Sequence, residues 1–146
     1  MADFGRGIMA GLVATLVISL IMIMRQAAGI MPWFDPIEVM SLTAQNLLGM
    51  PHSVAGGWVL HIGIGSLIWG VLFSGLADML PGKSYTRRGL LFGLLAWILV
   101  MMTVFPMAGS GFFAMGFGVI APIATLISHL IFGAVLGATY GWLRTL

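Results

Sequence analysis

Two histidines are the residues of this chain best suited to chemistry. His61 and His129 lie in long apolar segments, and each is followed four residues later by a glycine, Gly65 or Gly133. An imidazole inside a membrane-like segment is costly, so such residues usually have a function. A porphyrin iron accepts two neutral imidazoles, and a glycine one helical turn away leaves room for a flat ring. The pair therefore gives the hypothesis of a bis-histidine haem b site.

Other interpretations of these residues are open. Each ring could instead form a hydrogen bond to a neighbouring helix, through Ser66, Ser128 or a backbone carbonyl, and hold no ligand. The rings could also handle protons or ions, although transporters that do so usually carry a carboxylate inside the membrane. Arg25 ends the first apolar segment, where it could bind a haem propionate or pair with Asp35 or Glu38 of the next loop.

The remaining residues indicate no catalytic constellation. The chain has no cysteine, which excludes disulfides and thiol chemistry. Two histidines supply half of a zinc site, and His52 falls in a loop. A nucleophile elbow and a serine hydrolase triad are both missing. We therefore expect no enzyme activity, no established metal site and no nucleic-acid partner.

Composition indicates the class of fold. Of the 146 residues, 60% are hydrophobic and 7% are charged, unlike a soluble domain. A bilayer core about 30 Å thick needs roughly 20 helical residues per crossing. Such apolar segments occur at residues 7–28, 54–77, 89–106 and 119–143. The sequence predicts an all-α polytopic membrane protein with one transmembrane domain over residues 1–146, and the lipid bilayer as its first partner.

Basic residues mark one side of this predicted membrane domain. Five of the six flank the segments on the side that holds both chain termini, namely Arg6, Lys83, Arg87, Arg88 and Arg144. Cytoplasmic loops carry the excess of lysine and arginine, so both termini are expected in the cytoplasm.

The two halves of the chain resemble each other. Residues 6–14 match residues 88–96 at an arginine, two glycines, a leucine and an alanine, and the segment from His61 to Gly65 aligns with that from His129 to Gly133. This similarity predicts two helical hairpins in parallel orientation, related by an axis along the membrane normal. The two histidines would then lie at similar depth, in the outer half of the bilayer.

Glycines recur at helical spacing in these segments. Small residues four positions apart let helix backbones approach closely, so we interpret them as packing residues and not as ligand contacts. The predicted packing glycines are Gly7, Gly11, Gly65, Gly70, Gly89, Gly93, Gly133, Gly137 and Gly141.

The first outer loop predicts a short helix of its own. Asp35 is a suitable N-cap, Pro36 suits the first helical position, and Gly49 suits the end, giving a helix over residues 36–48. We expect this amphipathic helix to lie at the outer membrane surface. Its apolar face would hold Ile37, Met40, Ala44, Leu47 and Leu48.

Several of these motifs together carry a family resemblance. They are the stretches 7–14, 58–61, 69–70, 88–97 and 129–137, with the pairs 35–36 and 121–122. The chain resembles a family of small bacterial four-helix inner-membrane proteins of unknown function. The resemblance implies a bacterial cytoplasmic membrane, and it brings no known activity or ligand.

The expected function follows from these features. The glycine strips favour a non-enzymatic membrane component or accessory subunit that packs against other helices, in a homo-oligomer or a larger membrane complex. One alternative is a small electron-transfer protein that holds haem b between His61 and His129. A second alternative is a transporter module that works as an oligomer.

Overall fold

The structure is a computed structural model that describes residues 3–146. Over that range it is helical and contains no strand, which confirms the all-α prediction. The helices are α1 Phe4–Ala27, α2 Pro36–Leu48, α3 Val54–Gly63, α4 Trp69–Leu76, α5 Tyr85–Met102, α6 Val104–Met107 and α7 Ile120–Leu143. A π-helical turn, Ile64–Ile68, joins α3 to α4, and a short 3-10 segment, Phe112–Phe117, precedes α7.

Four helical stretches are long and apolar enough to cross a membrane. They are Phe4–Ala27, Val54–Leu76, Tyr85–Met107 and Ile120–Leu143. The third begins four residues before the position expected from the sequence, because the Ser84 side chain caps it by accepting a hydrogen bond from the Arg87 backbone N–H at 3.3 Å. Near its C-terminal end the helix breaks at Thr103, which has φ −122° and ψ −69°.

Glycines lie where helices pack most closely. In the contact of α1 with α4 and the π turn, a Cβ atom on Gly11 would lie 2.8 Å from the carbonyl oxygen of Gly65. In the contact of α5 with α7, a Cβ on Gly133 would lie 3.0 Å from the Cα of Gly93. Larger residues would push these backbones apart. The same two contacts hold the other glycines of the strips: Gly7, Gly70, Gly89, Gly137 and Gly141.

Aromatic rings fill the half of the bundle that holds both chain ends. Phe73 of α4 packs edge to face against Phe92 of α5 at 5.3 Å and against Tyr140 of α7 at 5.5 Å. Such pairs contribute about 0.5–1.5 kcal/mol each beyond the apolar area they bury. Because α1 also packs on α7 and α4, the four long helices are tied together at this end.

Helix α2 closes the other end of the bundle. Asp35 caps it by accepting a hydrogen bond from the Ile37 N–H at 2.9 Å, and Gly49 ends it with φ 65°. Of the predicted apolar face only Ile37 and Ala44 are buried in the bundle, whereas Leu47 and Leu48 are 57% and 56% exposed. The buried side chains on α2 are those of Ile37, Val39, Ser41, Thr43 and Ala44.

The reason for this different face is that α2 docks between two other helices. The Ser41 hydroxyl accepts a hydrogen bond from the Ser53 N–H at 3.0 Å, beside the start of α3. The Asn46 amide donates to the Met107 carbonyl at 2.8 Å, at the end of α6. These polar contacts turn Ser41 and Thr43 inward, so α2 forms a lid over the bundle.

Candidate ligand cavity

A cavity of about 170 Å³ lies among the long helices beneath α2. Its walls are mainly apolar, and Val39 and Met40 of α2 form part of its roof. The aromatic side chains in the lining are Phe34, Trp69, Phe105 and Phe132. His61 and His129 both line it, as does Arg25, so the structure brings together the residues that the sequence singled out for a ligand.

His129 reaches the cavity from α7 with one nitrogen already bonded. Its Nδ1 lies 2.8 Å from the carbonyl oxygen of Thr125, one turn earlier on the same helix. A carbonyl only accepts hydrogen bonds, so Nδ1 carries the hydrogen. In a neutral imidazole the other nitrogen then has a lone pair. Nε2 of His129 is therefore an acceptor.

His61 has the opposite arrangement on α3. Its Nε2 lies 3.1 Å from the hydroxyl oxygen of Ser19 on α1. Ser19 donates its only hydroxyl hydrogen to the Thr15 carbonyl at 2.8 Å, so it accepts from His61 Nε2–H. The lone pair of His61 is consequently on Nδ1. Trp58 packs edge to face against the ring at 5.7 Å and helps to fix its orientation.

The two lone-pair nitrogens are not sealed inside the protein. Among the described residues, the only fully buried side-chain nitrogen or oxygen without a hydrogen-bond partner is the hydroxyl of Tyr140. His61 Nδ1 and His129 Nε2 make no hydrogen bond within residues 3–146, and neither is among these fully buried atoms. Each therefore keeps an acceptor that no protein group uses.

The hydroxyl groups of the cavity wall also use their hydrogens elsewhere. Thr15 donates to the Gly11 carbonyl at 2.7 Å, and Ser128 donates to the Ala124 carbonyl at 3.1 Å. Thr125 donates to the Ala121 carbonyl at 2.9 Å. Each of these bonds runs back to the preceding turn of the same helix, a common arrangement for Ser and Thr in apolar helices. The Thr125 oxygen also accepts from the Trp97 indole N–H at 3.2 Å, so these hydroxyls have no hydrogen left to donate to a ligand.

The π-helical turn Ile64–Ile68 begins three residues after His61. Single π turns inside α-helices are rare and are frequent at functional sites. Within this turn the Gly65 backbone lies against the Thr15 side chain, so a side chain at position 65 would collide with Thr15. The α7 helix continues past His129 without such a turn, so the two histidine helices differ in geometry.

Arg25 is held by the loop that leads to α2. Its guanidinium donates to the carbonyls of Ile30 at 3.0 Å, Met31 at 2.9 Å and Phe34 at 2.6 Å. The expected carboxylate partners are engaged elsewhere. Asp35 caps α2, and Glu38 pairs with His52 at 2.8 Å. Arg25 therefore fixes the loop backbone at the edge of the cavity.

Ser19 is the histidine partner that the sequence did not predict, whereas the Thr125 carbonyl is of the expected kind but lies on the same helix as His129. Ser66 and Ser128 were the serines expected in that role, but each donates to a backbone carbonyl of its own helix. A signal for Ser19 was present in its spacing. On α1 it continues the four-residue strip that begins with Gly7 and Gly11, and this strip faces the His61 helix.

The cavity does not fit a haem. An apolar cavity of about 150 Å³ holds one benzene ring, so one of about 170 Å³ has room for a single ring and not for a four-pyrrole macrocycle. The stronger argument is the histidine geometry, because Nε2 of His61 is bonded to Ser19 and is not free to bind iron. Only His129 has its Nε2 free and its Nδ1 bonded to a carbonyl, as histidine metal ligands normally do. A cluster of three or more metal-binding side chains is likewise missing from residues 3–146.

A charged cluster lies at the opposite end of the bundle. Asp78 accepts from Arg88 at 3.1 Å, from Arg144 at 2.9 Å and from the Tyr85 hydroxyl at 2.8 Å. The hydrogen bond from Arg144, followed by that from Tyr85, holds the pKa of Asp78 below its ordinary value. The same bond raises the pKa of Arg144. This cluster joins the ends of α4, α5 and α7.

Comparison with known proteins places the chain in a family. A model of a family of unknown function, DUF6789, matches residues 1–146. The chain belongs to this family. No curated protein and no solved structure matches it. Membership agrees with the unknown function that the sequence resemblance implied, and the case for a role depends on the cavity itself.

Proposed function

We propose that this family member is a small, non-enzymatic integral membrane protein that binds a lipid-soluble molecule in the cavity beneath α2. One observation carries the proposal: two imidazoles from different helices line a single aromatic cavity, each with one ring nitrogen that no protein group uses. Ligand sites are typically concave and apolar, with a few converging polar groups, and this cavity has that composition.

Binding is favoured over catalysis by the residues that are missing from the wall. The lining contains no carboxylate among the described residues, so the histidines have no acid to orient them or share protons with them. General acid–base sites and proton-coupled transporters usually need such a group. For the same reason the oligomeric transporter module is the less favoured function.

An accessory role based on helix packing has less support. The outward faces of the long helices carry apolar side chains such as Leu16, Leu20 and Ile23, which are 53–59% exposed. Lipid contact alone requires such faces, and within residues 3–146 no charged or polar feature marks one of them for a partner chain. Homo-oligomers and larger complexes would be detected by the mass of the protein in mild detergent.

We further propose a bacterial cytoplasmic-membrane location with both termini in the cytoplasm. The supporting observation is that Arg88 and Arg144 meet Asp78 at the end of the bundle where both termini lie. Single cysteines introduced at Lys83 and at Met50 test this orientation, since only the second should react with an impermeant thiol reagent added outside intact cells. Reaction at Lys83 alone would reverse the orientation.

A parallel repeat of two hairpins is the arrangement we propose for the domain. Its support is that the α1 contact with α4 and the α5 contact with α7 both use paired glycines, and that each pair adjoins one cavity histidine. The π turn after His61 has no counterpart after His129, so the symmetry is approximate.

A binding experiment with a matched control tests the proposed function. Ala124 lines the cavity, whereas its neighbour Ile123 is 58% exposed on the outer surface of the same helix. We expect the detergent-purified protein to bind benzene above the uptake of protein-free micelles. Ala124→Trp should abolish that binding because the indole fills the cavity, and Ile123→Trp should preserve it. Benzene uptake no greater than that of micelles, or unchanged in Ala124→Trp, would refute the proposal.

Haem remains testable as an alternative ligand. A bis-histidine haem would give a Soret band with reduced-state peaks that vanish in the double variant His61→Ala, His129→Ala. Because of the cavity size and the bonded Nε2 of His61, we expect no such band even after haem is supplied to the expressing cells. A Soret band that depends on both residues would overturn this part of the account.

A further inference from the structure

We propose that the cavity binds a ligand with a single phenolic ring, whose hydroxyl hydrogens are accepted by His61 and His129. This inference rests on the proposed function, because it requires that the cavity binds a lipid-soluble molecule. It adds the chemical class of that molecule. The class follows from the hydrogen bonds in which the N–H and O–H groups of the cavity wall already take part.

The histidines present acceptors and not donors. The N–H of His129 is bonded to the Thr125 carbonyl, and the N–H of His61 is bonded to Ser19. A ligand that offers only acceptors, such as a carbonyl compound without N–H or O–H groups, would meet a lone pair at both rings. A ligand with hydroxyl hydrogens would instead satisfy both nitrogens.

The hydroxyl side chains strengthen this preference for ligands that donate hydrogen bonds. The hydrogens of Thr15, Thr125 and Ser128 all go to helix carbonyls, and the Thr125 oxygen already accepts from the Trp97 indole N–H at 3.2 Å, so none of these hydroxyls donates to a ligand. The Trp69 indole and the remaining Arg25 hydrogens are the donors left in the lining. A phenolic hydroxyl both donates and accepts, so it can use either kind of group.

Size and shape restrict the rest of the ligand. The cavity volume of about 170 Å³ suits one six-membered ring. Aromatic side chains on several walls favour an aromatic ring in edge-to-face or offset contact, notably Phe34, Phe105 and Phe132. An ammonium ligand would also bring hydrogens, but the lining has no carboxylate within the described residues to balance its charge.

Two sources could supply such a ring, a membrane lipid with a dihydroxyphenyl headgroup or a small free phenol. Both share the ring and its hydroxyls. A long apolar tail would leave the cavity between helices for the bilayer, and a free phenol would have no tail to place.

Three probes of nearly equal size test directly whether the cavity prefers ligands that donate hydrogen bonds. Hydroquinone has two hydroxyls, 4-methylphenol has one, and para-xylene has none. With affinities measured by calorimetry and referenced to uptake by protein-free micelles, we expect hydroquinone to bind most tightly and para-xylene least. Each hydrogen bond should contribute roughly tenfold or less in affinity.

Ring-preserving substitutions link that order to the histidines. His61→Phe and His129→Phe each remove one acceptor, so each should weaken hydroquinone binding by about three- to tenfold while para-xylene binding changes less than twofold. The control is His52→Phe, which alters an exposed histidine outside the cavity lining and should change neither affinity.

The outcomes separate this inference from the proposed function. If all three probes bind equally and Ala124→Trp blocks them, the cavity binds rings but the phenolic inference is wrong. If none binds above micelle uptake, both proposals fail. Should a cavity variant not fold, the order of the three probes on the unmodified protein still decides. A further arm with 2-decylhydroquinone assigns the source, since tighter binding than hydroquinone indicates a membrane lipid and equal binding indicates a free phenol.

Discussion

Replacing Gly89 by alanine should destabilise the protein by separating α5 from α7. A Cβ at this position would lie 2.9 Å from the Cα of Gly137 and would also overlap the Gly133 carbonyl oxygen. The first distance alone is about 0.5 Å short of the 3.4 Å at which ordinary van der Waals contact begins. Because the obstructing atoms are backbone, no side-chain rotation can relieve the overlap, and the helices themselves must move.

The magnitude follows from two opposing effects. Overpacking costs about 1–3 kcal/mol, and the backbone contacts place Gly89→Ala near the upper end of that range. Alanine regains about 1 kcal/mol through its better helix propensity. We therefore expect a net loss of about 2 kcal/mol in the free energy of unfolding.

A second glycine provides the matched control. A Cβ on Gly75 of α4 would have no neighbour nearer than 4.0 Å, so Gly75→Ala should be neutral or more stable by up to about 1 kcal/mol. Unfolding in mixed micelles with increasing dodecyl sulfate, followed by circular dichroism, measures both variants. Equal stability of Gly89→Ala and the unmodified protein, or equal loss in both variants, would refute the packing argument.

Three further perturbations have defined outcomes. Arg144 holds the pKa of Asp78 low, so the stabilisation by Asp78 is present above its ordinary pKa and is lost as the pH falls through the lowered one. In thermal unfolding, Asp78→Asn should lose less stability on acidification than the unmodified protein. The difference should stay within about 1 kcal/mol because water screens exposed ion pairs. Arg25→Met removes three hydrogen bonds from the loop before α2 and should speed amide exchange there while the helix cores stay protected; unchanged exchange would contradict its role. Ser19→Ala leaves the N–H of His61 without its acceptor and should cost about 1–3 kcal/mol of stability, and no measurable loss would argue against that bond.

Much of the fold was open to prediction because it depends on local patterns. The apolar length of each segment sets the long helices, and Asp35, Pro36 and Gly49 set both ends of α2. The buried face of α2 was not predictable in the same way. It depends on the hydrogen bonds of Ser41 and Asn46 to residues distant in sequence, and these override the amphipathic pattern.

The candidate site was likewise predictable only in part. His61 and His129 stand out because imidazoles are rare in apolar helices, and both line one cavity. The ligand class was not predictable, since it depends on which ring nitrogen carries the hydrogen. That choice is made by Ser19 and by the Thr125 carbonyl, and it becomes visible only when the helices are placed side by side.

Nitrogen NMR of the histidine side chains tests the central claim most directly. The chain has three histidines, so selective ¹⁵N labelling gives a spectrum that His→Phe variants can assign. We expect hydrogen on Nε2 of His61 and on Nδ1 of His129, and we expect hydroquinone to shift the other nitrogen of each ring while leaving His52 unchanged. Rings that carry hydrogens on both nitrogens, or cavity histidines that do not respond to hydroquinone, would contradict the claim.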